Sequence, residues 1–157
     1  MKKLLFFENA KLLTEKLGII PLMYGSLGLE YLTGKCLDAD DIDILIPEVF
    51  VTERWDEFKS FLTSEGYVLY DEHEHTFAKN NVFYSYASIE ELEDFAGIKL
   101  TEISKKRQED VQFGLLSLEQ YLNVYKASAK DGYRVNIRKK KDNDKITFIE
   151  KYLNECI

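Results

Sequence analysis

Apolar residues follow two different periods along this chain. Over residues 4–17, 55–62 and 146–153 they recur every three or four positions, as on one face of a helix; Trp55, Phe58 and Leu62 share such a face. Shorter apolar runs at 19–24 and 42–46 are typical of strands. Both patterns occur in one chain, so the sequence predicts an α+β fold: a small mixed β-sheet with flanking helices and a C-terminal helical segment.

Residues with special backbone or capping behaviour set the element boundaries. Gly18 can adopt the left-handed conformation that ends a first helix, and Pro47 should end the strand at 42–46. Residues 67–77 and 82–87 read as two strands of one hairpin, since Asn80 and Asn81 tolerate the positive φ of its turn. The charged stretch 101–110 reads as a loop.

The last third of the chain reads as helical. A Ser117 side chain with a glutamine three residues later predicts a capping box before a helix at 118–130. After the basic run 138–141, Asp142 or Asn143 could cap a final helix.

Length and composition favour one globular domain. The 157 residues suit a single domain, 1–157, with a sheet-containing core at 1–115 and a helical tail at 116–157 packed on it. The charged fraction of 31% and the hydrophobic fraction of 45% argue against disorder. A net charge of −7 disfavours non-specific binding to nucleic acid and to anionic membranes.

Cysteine usage and the N-terminus indicate a cytoplasmic protein. Cys36 and Cys156 match no disulfide or zinc spacing, which fits a reducing compartment. The first apolar run ends at Glu8 after four residues. A secretory signal needs about 7–15 apolar residues, and a spanning helix needs about 20.

Two aspartates on one strand provide the candidate chemistry. Asp41 and Asp43 are two positions apart and therefore share a face, whereas Ile42 and Ile44 point to the core. Carboxylates about 4 Å apart would repel by roughly 4 kcal/mol at an effective dielectric of 20. Either this strand end faces water, or a cation such as Mg²⁺ binds between the carboxylates.

The glycine-serine pair before these aspartates is suited to binding a phosphate group. Gly25 would let a phosphate group approach the backbone closely, and Ser26 offers a hydroxyl and an amide at a helix start, where anions are favoured. The Gly-Ser and Asp-x-Asp pairs together favour the metal-binding interpretation of Asp41 and Asp43.

At these positions the chain resembles the nucleotidyltransferase superfamily. That family's signature is a strand ending in Gly and Ser or Gly, a helix, and then Asp-hydrophobic-Asp-hydrophobic in the next strand. Here YGS at 24–26 and DIDI at 41–44 stand in that order. The chain is most similar to the small bacterial branch that includes aminoglycoside- and lincosamide-modifying enzymes and minimal toxin–antitoxin proteins. Only these two segments of the resemblance are specific.

The resemblance implies a reaction and a set of site residues. Members of the family transfer a nucleoside monophosphate from a nucleoside triphosphate to a hydroxyl, here of an unidentified small-molecule or protein acceptor, with Mg²⁺ or Mn²⁺. Asp41 and Asp43 would then hold metal, Gly25 and Ser26 would hold the β- and γ-phosphates, and Lys126 would bind nucleotide. Arg138 occupies the corresponding basic stretch and is assigned to the nucleotide as well.

One part of the family pattern is missing. The third carboxylate of the family lies on a later strand, and the matching segment VFYSYA (82–87) contains Ser85 but no acid. Glu74 or Glu90 could reach over and serve as the general base, with Glu74 assigned to catalysis. Two functions stay open: a nucleotidyltransferase, and a catalytically silent protein of the same fold that binds a nucleotide or a partner.

Overall fold

The computed structural model describes residues 1–130 and 135–155, and for 135–140 the backbone only. It contains six α-helices and seven strands within that part of the chain. The helices are α1 (Lys2–Leu17), α2 (Gly25–Thr33), α3 (Trp55–Ser64), α4 (Glu91–Ala96), α5 (Leu118–Lys130) and α6 (Val135–Glu155). The strands are β1 (Leu22–Tyr24), β2 (Ile42–Ile46), β3 (Val68–Asp71), β4 (Thr76–Lys79), β5 (Val82–Ser88), β6 (Ser104–Gln108) and β7 (Val111–Leu115). The predicted α+β class with a mixed sheet is confirmed.

All seven strands form one sheet in the order β3-β4-β5-β2-β1-β7-β6. The pairs β1–β7 and β2–β5 are parallel, and the remaining neighbours are antiparallel. The strand β2 therefore lies at the centre of the sheet, with β1 on one side and β5 on the other.

The residues divide into two compact units. The first comprises Met1–Glu90 and Ser104–Leu115 and contains the whole sheet with α1, α2 and α3. The second comprises Glu91–Ile103 and Leu116–Ile157 and contains α4, α5 and α6. The segment 91–103 thus groups with the helical part rather than with the sheet. The assignment of 1–157 to one domain stays a prediction.

The core of the first unit is rich in aromatic rings on one face of the sheet. Phe58 of α3 meets Phe77 of β4 and Tyr86 of β5 edge-on, with ring centroids 6.4 and 5.0 Å away. Phe6 of α1 meets Phe113 of β7 at 5.9 Å. These five rings are almost fully buried, and α1 and α3 cover this face because their apolar stripes match it.

Several predicted boundaries are confirmed. Gly18 has φ 67° and its N–H donates to Leu13 and Thr14 carbonyls at the end of α1. Asn80 and Asn81 have φ 52° and 65° in the β4–β5 turn, and the Ser117 capping box forms before α5.

Three predictions about secondary structure are wrong. The segment 67–77 is not one strand, because a turn at 72–75 separates β3 from β4. The stretch 101–110 is not a loop, since 104–108 pairs with β7 as an exposed edge strand. The last helix begins at Val135, so Asp142 does not cap it. Asp142 is instead buried within α6 and accepts a hydrogen bond of 2.7 Å from Ser128 Oγ of α5.

No helix in the described residues has both the length and the apolar character needed to cross a membrane.

Candidate functional site

Gly25 links β1 to α2 in a conformation that only glycine adopts without strain. Its φ is +64°, and it is the first residue of α2. A Cβ atom built at this position would lie 2.5 Å from Oδ2 of Asp43. The carboxylate of Asp43 therefore occupies the space that any other residue at position 25 would fill.

Cross-strand pairing fixes Asp43 on the face opposite the aromatic core. Its neighbours Ile42 and Ile44 are fully buried, so Asp43 points to the other side of β2. It pairs with Tyr24 of β1 and with Ser85 of β5. The sheet thus brings the carboxylate between the start of α2 and the middle of β5, and we call this arrangement the Gly25–Asp43 site.

The loop that leads to Asp41 is held by two charged side chains. The Glu30 carboxylate of α2 accepts hydrogen bonds from the N–H groups of Leu37 and Ala39, at 3.0 and 3.1 Å. The Lys2 ammonium donates to the Ala39 carbonyl. These contacts fix the chain immediately before Asp41.

Asp41 lies at the exposed start of β2, in a surrounding that disfavours its charge. Partial burial raises the pKa of this carboxyl, repulsion from Asp40 raises it further, and the Lys2 ammonium opposes both. The ionised Asp41 is therefore less stable than a fully hydrated carboxylate, and a bound cation would relieve that cost.

Ser85 is the position at which the nucleotidyltransferase resemblance predicts an acid. It is in register with Asp43 across the parallel β2–β5 pair. Its Oγ lies 2.8 Å from Oγ1 of Thr76 on β4, so the two hydroxyls form a hydrogen bond. The position beside Asp43 is polar but uncharged.

Neither acid suggested as a substitute lies beside Asp43. Glu74 belongs to the 72–75 turn and not to a strand; it is exposed, and its N–H donates to Asp71 Oδ1 at 3.2 Å. The Glu48 N–H is shared between the two carboxylate oxygens of Glu90, at 3.2 Å from Oε1 and 3.0 Å from Oε2. Since the residue before Glu90 bonds to the Ile46 carbonyl, Glu90 lies at the opposite end of β2 from Asp43 and has a structural role.

Asp71 is an acid on this face that the sequence analysis missed. It pairs with Thr76, which pairs with Ser85, so Asp71 continues the row of Asp43 across β5, β4 and β3. Three strand spacings separate the two aspartates, roughly 14 Å, which is too far to share one ion. No sequence signal marked it, because the hairpin register was unknown.

The donor set suits an ion that arrives with a phosphate. In the described residues no group of three or more His, Cys, Asp or Glu side chains is placed to hold a metal. Mg²⁺ is commonly bound through one or two carboxylates, with phosphate oxygens and water as its other ligands. Asp41 and Asp43 fit that role, and they do not make a self-sufficient metal centre.

Two of the predicted nucleotide residues, Lys126 and Arg138, belong to the second unit, and Ser26 belongs to the first. Lys126 is exposed on α5, and Arg138 falls in α6 with its side chain outside the described residues. Ser26 is half-buried in the first turn of α2.

Comparison with known proteins gives one clear relative. The chain is 38% identical over 148 residues to the uncharacterized protein YnaI of Bacillus subtilis (strain 168), covering 94% of this chain and 95% of that protein. No protein-family profile matches the chain, and no solved structure matches it.

Proposed function

This chain belongs to the family of YnaI from Bacillus subtilis, and we propose that it transfers a nucleoside monophosphate from a nucleoside triphosphate to a hydroxyl group. The observation that carries the proposal is the Asp43 carboxylate lying against Gly25 at the first turn of α2. The β1–β2 pairing brings two groups together: a carboxylate that can bind a cation, and the start of a helix that can bind phosphate. The nucleotidyltransferase type of fold is part of the proposal.

Each side of the Gly25–Asp43 site has its own task. The β- and γ-phosphates bind at Gly25 and Ser26, where the N–H groups of the first turn and the dipole of α2 favour anions. Asp41 and Asp43 would hold Mg²⁺ or Mn²⁺, which would neutralise phosphate charge and polarise the phosphorus–oxygen bonds. Because both carboxylates alone are a weak site, metal affinity should depend on the nucleotide.

Strand β5 carries no acidic side chain that could take the proton from the acceptor hydroxyl. Ser85 is hydrogen-bonded to Thr76 and is a poor base at neutral pH. We assign the role of base to Glu74, whose backbone carbonyl accepts a hydrogen bond of 3.3 Å from Thr76 Oγ1. That turn lies beside Thr76, two strand spacings (about 10 Å) from Asp43 and on the Tyr86 side of its row, so Glu74 would take the acceptor proton through water.

A second candidate function is nucleotide binding without transfer. The uncharged Ser85–Thr76 pair beside Asp43 favours it, since a missing carboxylate leaves both metal charge and proton transfer unsupported. Pyrophosphate release separates the two functions, because only transfer cleaves the triphosphate.

Calorimetric titration of ATP, GTP, CTP and UTP with and without Mg²⁺ tests the site. We expect Asp43→Asn to weaken Mg²⁺-dependent binding about tenfold or more, as loss of a charged ligand does. Asp40→Asn is the matched control, because Asp40 lies on the same loop, is exposed, and is given no role. Equal affinity in Asp43→Asn and wild type would contradict the proposal.

A further inference from the structure

The two edges of the seven-stranded sheet carry opposite charge. Strand β3 forms one edge and β6 forms the other, and both belong to the first unit. All five side chains of β6 are exposed, and three of them are the cations Lys105, Lys106 and Arg107. The segment 65–74, which contains β3, carries four acids and no lysine or arginine. One edge of the sheet is therefore basic and the other is acidic.

Strand β3 also exposes apolar side chains. Val68 is 65% exposed and Tyr70 is 68% exposed. The Tyr70 ring lies 4.7 Å from the ring of Phe83, which shares the face of Asp43. Edge strands are commonly protected from pairing with other chains by lysine or proline. Strand β3 contains neither residue, so its edge is open to pairing with another strand.

The hairpin register shows which backbone groups of β3 point outward. In an antiparallel pair, hydrogen-bonded and non-hydrogen-bonded residue pairs alternate. Lys79 and Val82 flank the two-residue β4–β5 turn and form the hydrogen-bonded pair that closes it. The next residue, Ala78, therefore directs its N–H and C=O to β3, where it pairs with Val68. The N–H and C=O of Leu69 consequently point away from the sheet.

The outward backbone groups of β6 follow from the same alternation. The residues on either side of the two-residue turn 109–110 close it with backbone hydrogen bonds. The N–H and C=O groups of Lys105 and Arg107 therefore point away from β7. The Gly114 N–H, opposite Lys105, agrees with this pattern, because it donates to the Pro21 carbonyl on the other side of β7.

The two edges match in one parallel register. Strands β3 and β6 run in the same direction, so a second copy in the same orientation would pair its β6 with β3 in parallel. In a parallel pair, a residue bonds to the two residues that flank its register partner. With Lys106 of the second copy opposite Leu69, the Leu69 N–H would donate to the Lys105 carbonyl. The Leu69 carbonyl would accept from the Arg107 N–H. Leu69 and Lys106 each pair with a ring of the aromatic core, so they share a face, as register partners must.

The side chains brought together by this register attract each other. Lys105 of the second copy would cover Val68 with its methylene groups. Arg107 would meet the Tyr70 ring, where a guanidinium gains a cation–π contact. Two β6 edges would oppose cations with cations, and two β3 edges would oppose acids with acids. Charge complementarity therefore makes the β6 edge of a second copy the partner that fits β3.

We propose that copies of this chain associate head to tail, with β6 of one copy added to β3 of the next as a parallel strand. Each copy in such a pair keeps one open edge, so the contact is heterologous and growth continues past a dimer. The association needs no nucleotide and is independent of the proposed transfer reaction.

Sedimentation velocity of the full chain over a range of concentrations measures the association. We expect the weight-average sedimentation coefficient to rise with concentration without levelling at the value of a dimer. The β6-acidic variant combines Lys105→Glu, Lys106→Glu and Arg107→Glu. Its association constant should be about tenfold lower or less, because attractions between the two edges become repulsions.

A control variant changes the net charge by the same amount at three exposed lysines elsewhere: Lys16→Glu, Lys35→Glu and Lys130→Glu. These positions lie outside β3 and β6, so the control should associate as strongly as wild type. Thermal melts check that each variant is folded.

A mixing experiment tests which edges meet. Val68→Lys combined with Asp71→Lys makes the β3 edge basic, so this variant should not associate alone. Mixed with the β6-acidic variant, its β3 meets an acidic β6, and association should return. Amide hydrogen exchange adds a measurement on wild type: Leu69 and Arg107 should exchange more slowly as the concentration rises. Lys106, already hydrogen-bonded to β7, should not change.

A protein that stays monomeric at every concentration overturns the inference. So does a dimer that persists in the β6-acidic variant, because the contact would then join two β3 edges. Equal loss of association in the control variant would show a general effect of net charge and overturn it too. A monomeric wild type whose β6 amide NMR signals shift on addition of a polyglutamate peptide would make an acidic strand of another protein the partner, and the head-to-tail assignment would be wrong.

Discussion

Replacement of Gly25 by alanine tests the geometry of the Gly25–Asp43 site most directly. The new Cβ would lie 2.5 Å from Asp43 Oδ2, while Cβ and Cγ of Asp43 are at 3.4 Å. Only the carboxylate oxygen is inside contact distance, so rotation of the Asp43 side chain relieves the clash. The substitution therefore displaces the proposed metal ligand without forcing the backbone apart.

Gly18→Ala is the matched control for the backbone strain. Gly18 has φ +67°, almost the value of +64° at Gly25, but nothing lies within 4 Å of an added Cβ. Both variants pay about 1–2 kcal/mol for alanine in the left-handed region. For a chain of this size each kcal/mol lowers the melting temperature by about 2–4 °C. Gly25→Ala adds about 0.5–1.5 kcal/mol for an off-rotamer Asp43.

Thermal melts and nucleotide calorimetry on the two variants give the readout. We expect Gly25→Ala to lose about 0.5–1.5 kcal/mol more stability than Gly18→Ala. We also expect at least about a tenfold loss of Mg²⁺-dependent ATP affinity in Gly25→Ala alone, since a charged metal ligand is displaced. In a double variant, Asp43→Ala should remove the extra stability cost of Gly25→Ala, so their changes in unfolding free energy should not add. The changes caused by Gly18→Ala and Asp43→Ala should add. Equal ATP affinity in both glycine variants, or additivity of Gly25→Ala with Asp43→Ala, would refute the reasoning.

Three further predictions follow from the contacts around β2. Ser85→Asp should raise pyrophosphate release about 10²–10⁴-fold by supplying an acid. The control Ser85→Ala also removes the hydrogen bond to Thr76 but should not raise release. No gain in Ser85→Asp would contradict the role of the missing acid. Asp41→Asn should stabilise the metal-free protein at neutral pH. The raised pKa of Asp41 means that its ionised form disfavours folding, so the gain should vanish as the pH falls through the carboxyl range; melts at both pH values check the sign. Glu90→Ala should cost about 0.5–2 kcal/mol, as loss of a cap does, because the Glu48 N–H loses its acceptor, with ATP affinity unchanged; a loss of affinity would return Glu90 to the site.

Local chemistry made part of this protein predictable from sequence. Gly18, Pro47 and the pair Asn80-Asn81 mark ends and turns because their backbone preferences act within a few residues. Alternation along β2 likewise places Ile42 and Ile44 in the core without reference to any other strand.

Elements without a local signal were missed for a physical reason. Residues 104–108 carry lysines and an arginine with no apolar alternation, and they form a strand because β7 offers an edge to pair with. The turn at 72–75 interrupts a run that reads as one strand, since only the pairing of β3 with β4 shows where the chain reverses. The basic run at 138–141 reads as a connection, yet lysine and arginine are good helix formers and α6 passes through it.

The sequence by itself determined which groups the candidate site could contain: Gly25, Ser26, Asp41 and Asp43, with no acid on 82–87. The tertiary structure decided how they meet. Strand register placed Asp43 against Gly25 and beside Ser85, and it put Glu90 at the other end of β2. Register is a long-range property, because each pairing depends on strands that lie far apart in the chain, and no local pattern encodes it.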